Sequence, residues 1–286
     1  MKLSGLVLKI LAASLCAVAL QASGDAGERD VLRVCADPEY MPFSSKQQAG
    51  FENKIAEIIA ADLGARVEYY WFPQRMGFIR NTLRQQDPQS QEYRCDVVMG
   101  VPKGFELAIT TRPWYRSTYA LVYAKGGKLD GVMSSADLLA LDEARKDALR
   151  IGINERSPGA VWLAKYDMFN QMVPYVAQAG DPSLSPGELE VLDVLAGKLD
   201  GAILWGPIAA YAATLGKEKS IHVQVIPMTS EPGVLFHYAI SAGVRFGEGE
   251  WRDQLNEVLD RNADKIMEVL KEYGVPLVDE HGAALS

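Results

Sequence analysis

The sequence predicts an α/β protein of two lobes, each built on a parallel sheet with helices on both faces. Short runs with the character of buried strands alternate with amphipathic helical segments along most of the 286 residues. Such alternation is typical of parallel sheets joined by crossover helices. The strand–helix pattern starts again after Gly126 and Gly127, and this restart indicates a second lobe of the same kind.

The N-terminal segment, residues 1–22, has the pattern of a secretory signal peptide. Lys2 and Lys9 accompany an apolar run that reaches Leu20, and small or polar residues follow it. Loss of the two lysines would take the formal net charge from −8 to −10. We therefore expect a periplasmic protein with no membrane span after cleavage. Its acidic balance argues against nucleic acid or an anionic membrane as partner.

The first strand is predicted at residues 31–36, where apolar residues alternate and then run continuously. Asp37 and Pro38 end it, because proline offers no donor to a sheet ladder. The next loop carries acidic and aromatic side chains, and a helix is expected at 51–63. Ligands of open parallel sheets bind at the carboxyl ends of the strands. This loop is therefore the first candidate for a functional site.

The rest of the first lobe repeats the pattern. The β-branched and aromatic run at 66–71 predicts a strand, and Pro73 is expected to start a helix. Further strands are predicted at 95–100 and 117–124.

In the second lobe, helices are predicted at 135–146, 158–167, 186–198 and 207–215, and strands at 149–153, 173–177, 200–204 and 222–227. A strand at 236–242 and a long helix at 249–273 would complete the first lobe. Two hinge crossings, near 123–127 and 234–238, would join the lobes and leave a cleft between them. The predicted lobes comprise 29–124 with 238–286, and 125–237.

Cys35 and Cys95 are the cysteines that remain once the signal peptide is removed. We expect the first and third strands to be neighbours, in the order 2-1-3, at a spacing of ~4.8 Å that a disulfide can bridge. Cysteines in an oxidising compartment are often paired. Cys35 comes late in its strand, however, whereas Cys95 opens its own. Two buried thiols therefore stay open as the alternative.

Sequence motifs give no sign of an enzyme. The chain has no nucleophile elbow, phosphate loop, zinc-protease motif or dinucleotide fingerprint. His222, His237 and His281 are scattered and form no cluster with the cysteines, which argues against histidine-based catalysis and against a metal site. We therefore expect no catalytic residue, no metal and no cofactor.

Aromatic and arginine side chains gather around the predicted strand ends. An aromatic-walled cleft with a few polar anchors is typical of a binding site, and arginines beside aromatics are common anchors of protein contacts. Tyr119 is expected in the core instead. The candidate residues of the cleft are Asp37, Glu39, Tyr40, Phe43, Glu52, Arg75, Arg112, Trp114, Tyr115 and Trp205.

Several longer stretches carry a family resemblance when they are taken together. They read RVCADPEYMPFS, GFENKIAEIIAADLG, WFPQRMGFIRNTL, RCDVVMGVP and TTRPWYRSTY. The order of segments resembles type II periplasmic solute-binding proteins. These stretches resemble, more narrowly, the J proteins of bacterial methanol oxidation, the MxaJ/XoxJ type. GFENKIA and FPQRMGFIRNTL look closer to the XoxJ branch, which is associated with lanthanide-dependent enzymes.

This resemblance implies a non-enzymatic accessory factor that supports maturation or activation of a methanol (alcohol) dehydrogenase dependent on pyrroloquinoline quinone (PQQ). The dehydrogenase would be the partner, with its cytochrome c as a further candidate, and an open aromatic cleft would receive a segment of the enzyme. Two other functions fit the same fold. One is a receptor for uptake of a small apolar or aromatic molecule, and the other is a dehydratase that uses a carboxylate such as Glu52.

The chain departs from amino-acid-transporting relatives where those proteins hold their ligand. The resemblance places their carboxylate-binding arginine at or near Gly104, and their amine-binding aspartate in the segment around Trp205. Pro158 removes an amide donor from the second carboxylate loop, at 156–159. Because a buried ligand charge without a partner is costly, we expect no uptake of amino acids.

Overall fold

The computed structural model describes residues 29–176 and 187–285. The predicted signal peptide at 1–22 lies outside these residues. Within them, no helix is both long enough and apolar enough to cross a membrane.

The chain begins with a buried strand and the helix that covers it. Helix α1 (Phe51–Asp62) packs inward through Phe51, Ile55 and Ile59, which recur at three- and four-residue steps. The side-chain oxygen of Asn53 accepts hydrogen bonds from the amides of Ser45 and Gly50, at 3.0 and 3.1 Å, and so fixes the loop to the helix. The elements of this part are β1 (Val31–Ala36), β2 (Glu39–Tyr40), β3 (Ser44–Ser45), α1 (Phe51–Asp62), β4 (Arg66–Trp71), α2 (Phe78–Asn81), β5 (Val97–Pro102) and β6 (Ile109–Thr110).

Ten-residue strand β7 (Tyr115–Ala124) leads into the second group of elements. These are α3 (Ser135–Leu139), α4 (Glu143–Asp147), β8 (Ile151–Asn154), α5 (Pro158–Lys165), β9 (Met172–Tyr175), α6 (Glu188–Leu195), β10 (Gly201–Trp205), α7 (Gly206–Glu218) and β11 (Val223–Pro227). The chain then returns through β12 (His237–Val244) and ends with α8 (Gly249–Arg261) and α9 (Ala263–Glu272).

The strands follow the order β4-β1-β5-β12-β7-β10-β8-β9, with β11 paired to β7 and β6 to β12. Strand β1 lies between β4 and β5 and is parallel to both. The predicted order 2-1-3 of the first three long strands is therefore confirmed. Strands β7 and β12 run antiparallel to their neighbours in the middle of the path.

Strand β7 changes partners along its length. Its first part, Tyr115 to Thr118, pairs with β12, and the part from Tyr119 onward pairs with β10 and β11. The chain thus passes from one sheet to the other between Thr118 and Tyr119, earlier than the crossing expected near 123–127. The lobe limits at 124–125 and 237–238 stay a prediction, and this pairing favours an earlier first limit.

Some predicted helices are shorter or interrupted. The helix expected from Pro73 is reduced to α2, because Gly77 precedes it in a left-handed conformation with φ of 87°. The helix expected at 135–146 divides where Asp142 caps α4 by accepting a hydrogen bond from the amide of Arg145 at 2.9 Å. Buried Asn262 separates α8 from α9, and its amide group donates to Asp62 at 2.8 Å.

Cys35 and Cys95 form a disulfide, with their Cα atoms 5.3 Å apart. Cys35 pairs with Val98 in the sheet, and Cys95 lies just before β5 rather than within it. The segment that enters β5 follows the side of β1, since the amide of Asp96 donates to the carbonyl of Arg33 at 2.7 Å. This approach brings the two sulfurs together and decides between the alternatives left open by the sequence.

Candidate functional site

A cavity of about 270 Å³ lies where the strands change from one sheet to the other. The carboxyl end of β1, the middle of β5 and the end of β10 contribute to it, and so do β7 and β12 at their crossing. Its lining residues are Cys35, Ala36, Asp37, Tyr40, Phe43, Glu52, Gln74, Val98, Gly100, Pro102, Tyr115, Tyr119, Trp205, Tyr238 and Ile240.

Six of the side chains proposed from the sequence meet in this cavity. They are Asp37, Tyr40, Phe43, Glu52, Tyr115 and Trp205. Glu39, Arg75, Arg112 and Trp114 do not line it.

The four residues outside the cavity have other surroundings. The guanidinium of Arg112 forms an ion pair with Asp260, on α8. The indole of Trp114 donates to the carbonyl of Met99 at 3.1 Å and packs edge-on against Phe51. Glu39 is exposed, and Arg75 is half-buried. Arg112 and Trp114 therefore connect elements of the first lobe, and the arginine expected beside the aromatic cleft is absent from its lining.

Asp37 holds the loops that form the cavity. Its carboxylate accepts hydrogen bonds from the amides of Glu39, at 2.8 Å, and Gln74. Its main-chain carbonyl accepts one from the hydroxyl of Ser44 at 2.8 Å. Asp37 thus joins the loop after β1 to the loop after β4, and its carboxylate is occupied by protein donors.

Glu52 is the second carboxylate of the cavity, and its surroundings differ. It lies in the first turn of α1, where the helix dipole favours a negative charge. Within the described residues its carboxylate has neither an ion-pair nor a hydrogen-bond partner. The effect of burial therefore outweighs that of the helix dipole, and it raises the pKa of Glu52 from its usual value near 4.5 to about 8. The side chain is neutral in most molecules at neutral pH.

Aromatic rings line the same cavity as this carboxyl group. Tyr119, Trp205 and Tyr238 pack edge to face, with ring centroids 5.4 to 6.3 Å apart. Tyr40 and Phe43 form a second group, with centroids 4.6 Å apart. Burial raises the pKa of Tyr119 to about 12 and that of Tyr115 well above its usual value. The cavity thus presents neutral hydroxyl groups and ring faces.

Some lining residues were missed by sequence reasoning. Tyr119 was expected in the core, but it lies where β7 changes partners and its ring reaches the cavity. Tyr238 and Ile240 are on the returning strand β12, and the predicted crossing near 234–238 was the signal that could have identified Tyr238. Gln74 offers no such signal, because only the folded loop after β4 brings it to the site. Gly100 is in β5, and its place at the end of the strand predicted at 95–100 was the signal for it.

The residues that the structure describes give the cavity lining no cationic side chain. Among the described residues no lysine, arginine or histidine lines it, and Asp37 and Glu52 are its acidic groups. Gly104 is outside it, while Ser157 caps helix α5 by accepting from the amide of Ala160 at 3.3 Å. A ligand carboxylate would meet no positive side chain here. In the described part of the chain, no cluster of three or more metal-binding side chains is found either.

Two sheets that share crossing strands, with a cavity at the crossing, define a type II periplasmic binding protein. Solved structures with this arrangement include the periplasmic binding protein XoxJ from Methylobacterium extorquens AM1. It is 34% identical, with a TM-score of 0.67 over 87% of this chain and all (100%) of that chain. MxaJ from Methlophaga aminisulfidivorans MPT is 30% identical, with a TM-score of 0.67 over 86% of this chain and 100% of its own. The chain belongs to the MxaJ/XoxJ family of periplasmic binding proteins.

Curated sequences agree with this assignment. Protein MoxJ of Paracoccus denitrificans is 28% identical over 260 residues, which cover 86% of this chain and 89% of that protein. No family model matches the chain. The family resemblance and the fold class expected from the sequence are thus confirmed.

Proposed function

We propose that this protein is a non-enzymatic periplasmic accessory factor of a PQQ-dependent methanol (alcohol) dehydrogenase. It supports maturation or activation of the enzyme by binding one of its segments in the cavity between the lobes. Membership of the MxaJ/XoxJ family supports the link to methanol oxidation. The cytochrome c of the dehydrogenase stays a further candidate partner.

The observation that carries the proposal is an aromatic cavity without a cationic side chain. Amino-acid uptake requires groups for both ends of a zwitterion, and the described lining offers no cation for the carboxylate. The cavity of about 270 Å³ also lies just below the range of ~300–1,000 Å³ that is usual for small-molecule sites. A cavity of this size suits one side chain of the bound segment, while the neighbouring residues of that segment stay outside.

Deletion of the gene tests the proposal. We expect dehydrogenase activity in the periplasm to fall while the dehydrogenase polypeptide is still made and its own metal is supplied. Complementation with the wild-type gene should restore activity, whereas the Trp205→Ala variant should not. Phe169→Ala is the matched control, because this ring is 61% exposed and outside the cavity. Full activity in the deletion strain would overturn the proposal, and failure to take up a small molecule would favour a transport receptor instead.

One feature favours a second candidate function. Glu52 is a protonated carboxyl group in an apolar cavity near neutral pH, which is the state that a catalytic acid needs. A dehydratase that used it would turn over a cyclic hydroxy acid and lose that activity in the Glu52→Gln variant. Turnover by the purified wild-type protein would establish this candidate.

A further inference from the structure

We infer that the cavity receives an alkylammonium group, with Glu52 as its counter-ion and the surrounding rings as its walls. This inference concerns the chemistry of the cavity and can be tested on the purified protein. Its extension, that the ammonium group belongs to a lysine of the bound dehydrogenase segment, rests on the proposed function.

Glu52 carries a carboxylate without a partner among the described residues. Buried acidic side chains are normally paired with a cation or with several donors, as Asp37 is paired with two backbone amides. Glu52 has neither in the described ranges, although its side chain lines the cavity. A cation that enters the cavity would supply the missing partner.

Several aromatic rings share the cavity with Glu52. A cation is attracted to the face of a tyrosine, tryptophan or phenylalanine ring, and sites for organic ammonium ions are commonly built from several such rings. The cation–π pairs found within the described chain involve other rings, for example Arg29 with Trp251 and Arg245 with Tyr93. The rings of the cavity are therefore not covered by the protein's own cations.

The position of the Glu52 carboxylate favours a compact cation. One carboxylate oxygen of Glu52, Oε1, packs against Gly100, as shown by the 2.2 Å that would separate it from a Cβ atom at that position. The planar fork of a guanidinium binds best to two free oxygens, whereas an ammonium group acts as a compact point charge. An ammonium on an apolar stem also matches a small cavity with a mainly apolar wall.

The charge of the whole protein agrees with such an occupant. After removal of the two lysines in residues 1–22 the formal net charge of −8 becomes −10, and an acidic protein draws cationic ligands and basic partner surfaces.

Binding of a cation must be coupled to the ionisation of Glu52. The other titratable groups that face it are Tyr40, Tyr69 and Tyr115, with Asp37 nearby. Burial raises the pKa of each of these tyrosines, so they stay neutral. Near neutral pH the ammonium would therefore displace close to one proton from Glu52.

Calorimetry with n-butylammonium chloride provides the test, with 1-butanol as the uncharged analogue. Above pH 8, where Glu52 is ionised, we expect saturable binding of the ammonium and binding of butanol weaker by about tenfold or more. Glu52→Gln should weaken binding of the ammonium by a similar factor. The control, Glu57→Gln, removes an exposed carboxylate from the same helix and should leave affinity within about twofold.

A wild-type measurement keeps the test independent of variant folding. Near neutral pH, calorimetry in buffers of different ionisation enthalpy should show release of close to one proton per bound ammonium. Absence of saturable binding, equal binding of butanol, or binding with no proton release would each overturn the inference.

Further probes distinguish the source of the ammonium. Nα-acetyl-lysine N-methylamide represents a lysine within a protein segment, and free n-butylammonium represents a small amine. Equal or tighter binding of the blocked lysine supports a protein segment, whereas clear preference for the free amine overturns the lysine assignment. If both probes fail while deletion of the gene still lowers dehydrogenase activity, this inference falls and the proposed function stands.

Discussion

Glu52 and Gly100 are in direct contact in the wall of the cavity, so that a Cβ atom on Gly100 would lie 2.2 Å from Oε1 of Glu52. Strand β5 has room at this point only for a hydrogen. Position 100 therefore decides where the carboxyl group of Glu52 can lie.

Replacing Gly100 by alanine should push the Glu52 side chain away from the strand. We expect the free energy of unfolding to fall by about 1–3 kcal/mol, as for other overpacked interiors. Urea unfolding measures it. In a Glu52→Ala background the same change should cost much less, and an equal cost in both backgrounds would contradict the contact.

The stability of the protein should depend on pH through Glu52. Its pKa is about 8 in the folded protein and near 4.5 when unfolded. The favourable contribution of the protonated folded group is therefore complete below pH 4.5 and is lost as the pH rises to about 8. Relative to Glu52→Gln, the wild type should lose about 2–3 kcal/mol across this window, since Glu52 keeps partial exposure to solvent, which screens part of the effect. Parallel pH profiles of the two proteins would count against the raised pKa.

The disulfide should contribute to stability through the loop that it closes. Cys35 and Cys95 are 60 residues apart in the chain, a separation for which the chain-entropy model gives ~4 kcal/mol. We expect the Cys35→Ala, Cys95→Ala double variant to unfold at lower urea concentration by a corresponding amount. Mass spectrometry of the native protein after thiol alkylation gives the direct measurement, and two alkylated cysteines would exclude the bond.

Arg112 and Trp205 should differ in their effect on the dehydrogenase. Arg112 forms an exposed ion pair with Asp260, and such pairs contribute about 0–1 kcal/mol. We therefore expect Arg112→Ala to fold almost as stably as the wild type and to complement the deletion strain. Trp205→Ala, which removes a ring from the cavity, should fold but not complement. Loss of function in both variants would point to a contact surface that extends to α8.

A buried ionic network beside the disulfide offers another test. The guanidinium of Arg245 binds Asp96 and Glu248, at 3.1 and 2.7 Å, and lies over the ring of Tyr93. Without Arg245, buried Asp96 would keep only Arg29 among the described cations, at 3.4 Å, and Glu248 would lose the guanidinium that binds it. Arg245→Met should therefore lower the free energy of unfolding by about 3–5 kcal/mol. A cost below that of Arg112→Ala would show that the network is not buried in solution.

Hydrophobic periodicity was enough to predict the strands around the site. The continuous apolar run of β1 and the stripe of Phe51, Ile55 and Ile59 determine which faces are buried, and these patterns are local. The order of the first strands follows from the rules of parallel sheets, and the structure agrees with it.

Side-chain destinations were harder to predict, because they depend on contacts between distant segments. The direction of Arg112 is determined by Asp260, which lies 148 residues further along the chain. Tyr119 reaches the cavity because β7 changes partners at that residue, and a strand pattern cannot show which neighbour pairs with it. The position of Cys95 likewise depends on the course of the segment that leads into β5.

The partner change within β7 has a mechanical consequence. Tyr119 is on β7, the strand that pairs in both sheets, and Tyr238 is on β12, which pairs with the first part of β7. A group held between their rings would therefore lie close to the point where β7 passes from one sheet to the other. We therefore expect an occupant of one side chain's size, held where β7 changes partners, to influence the angle between the two sheets.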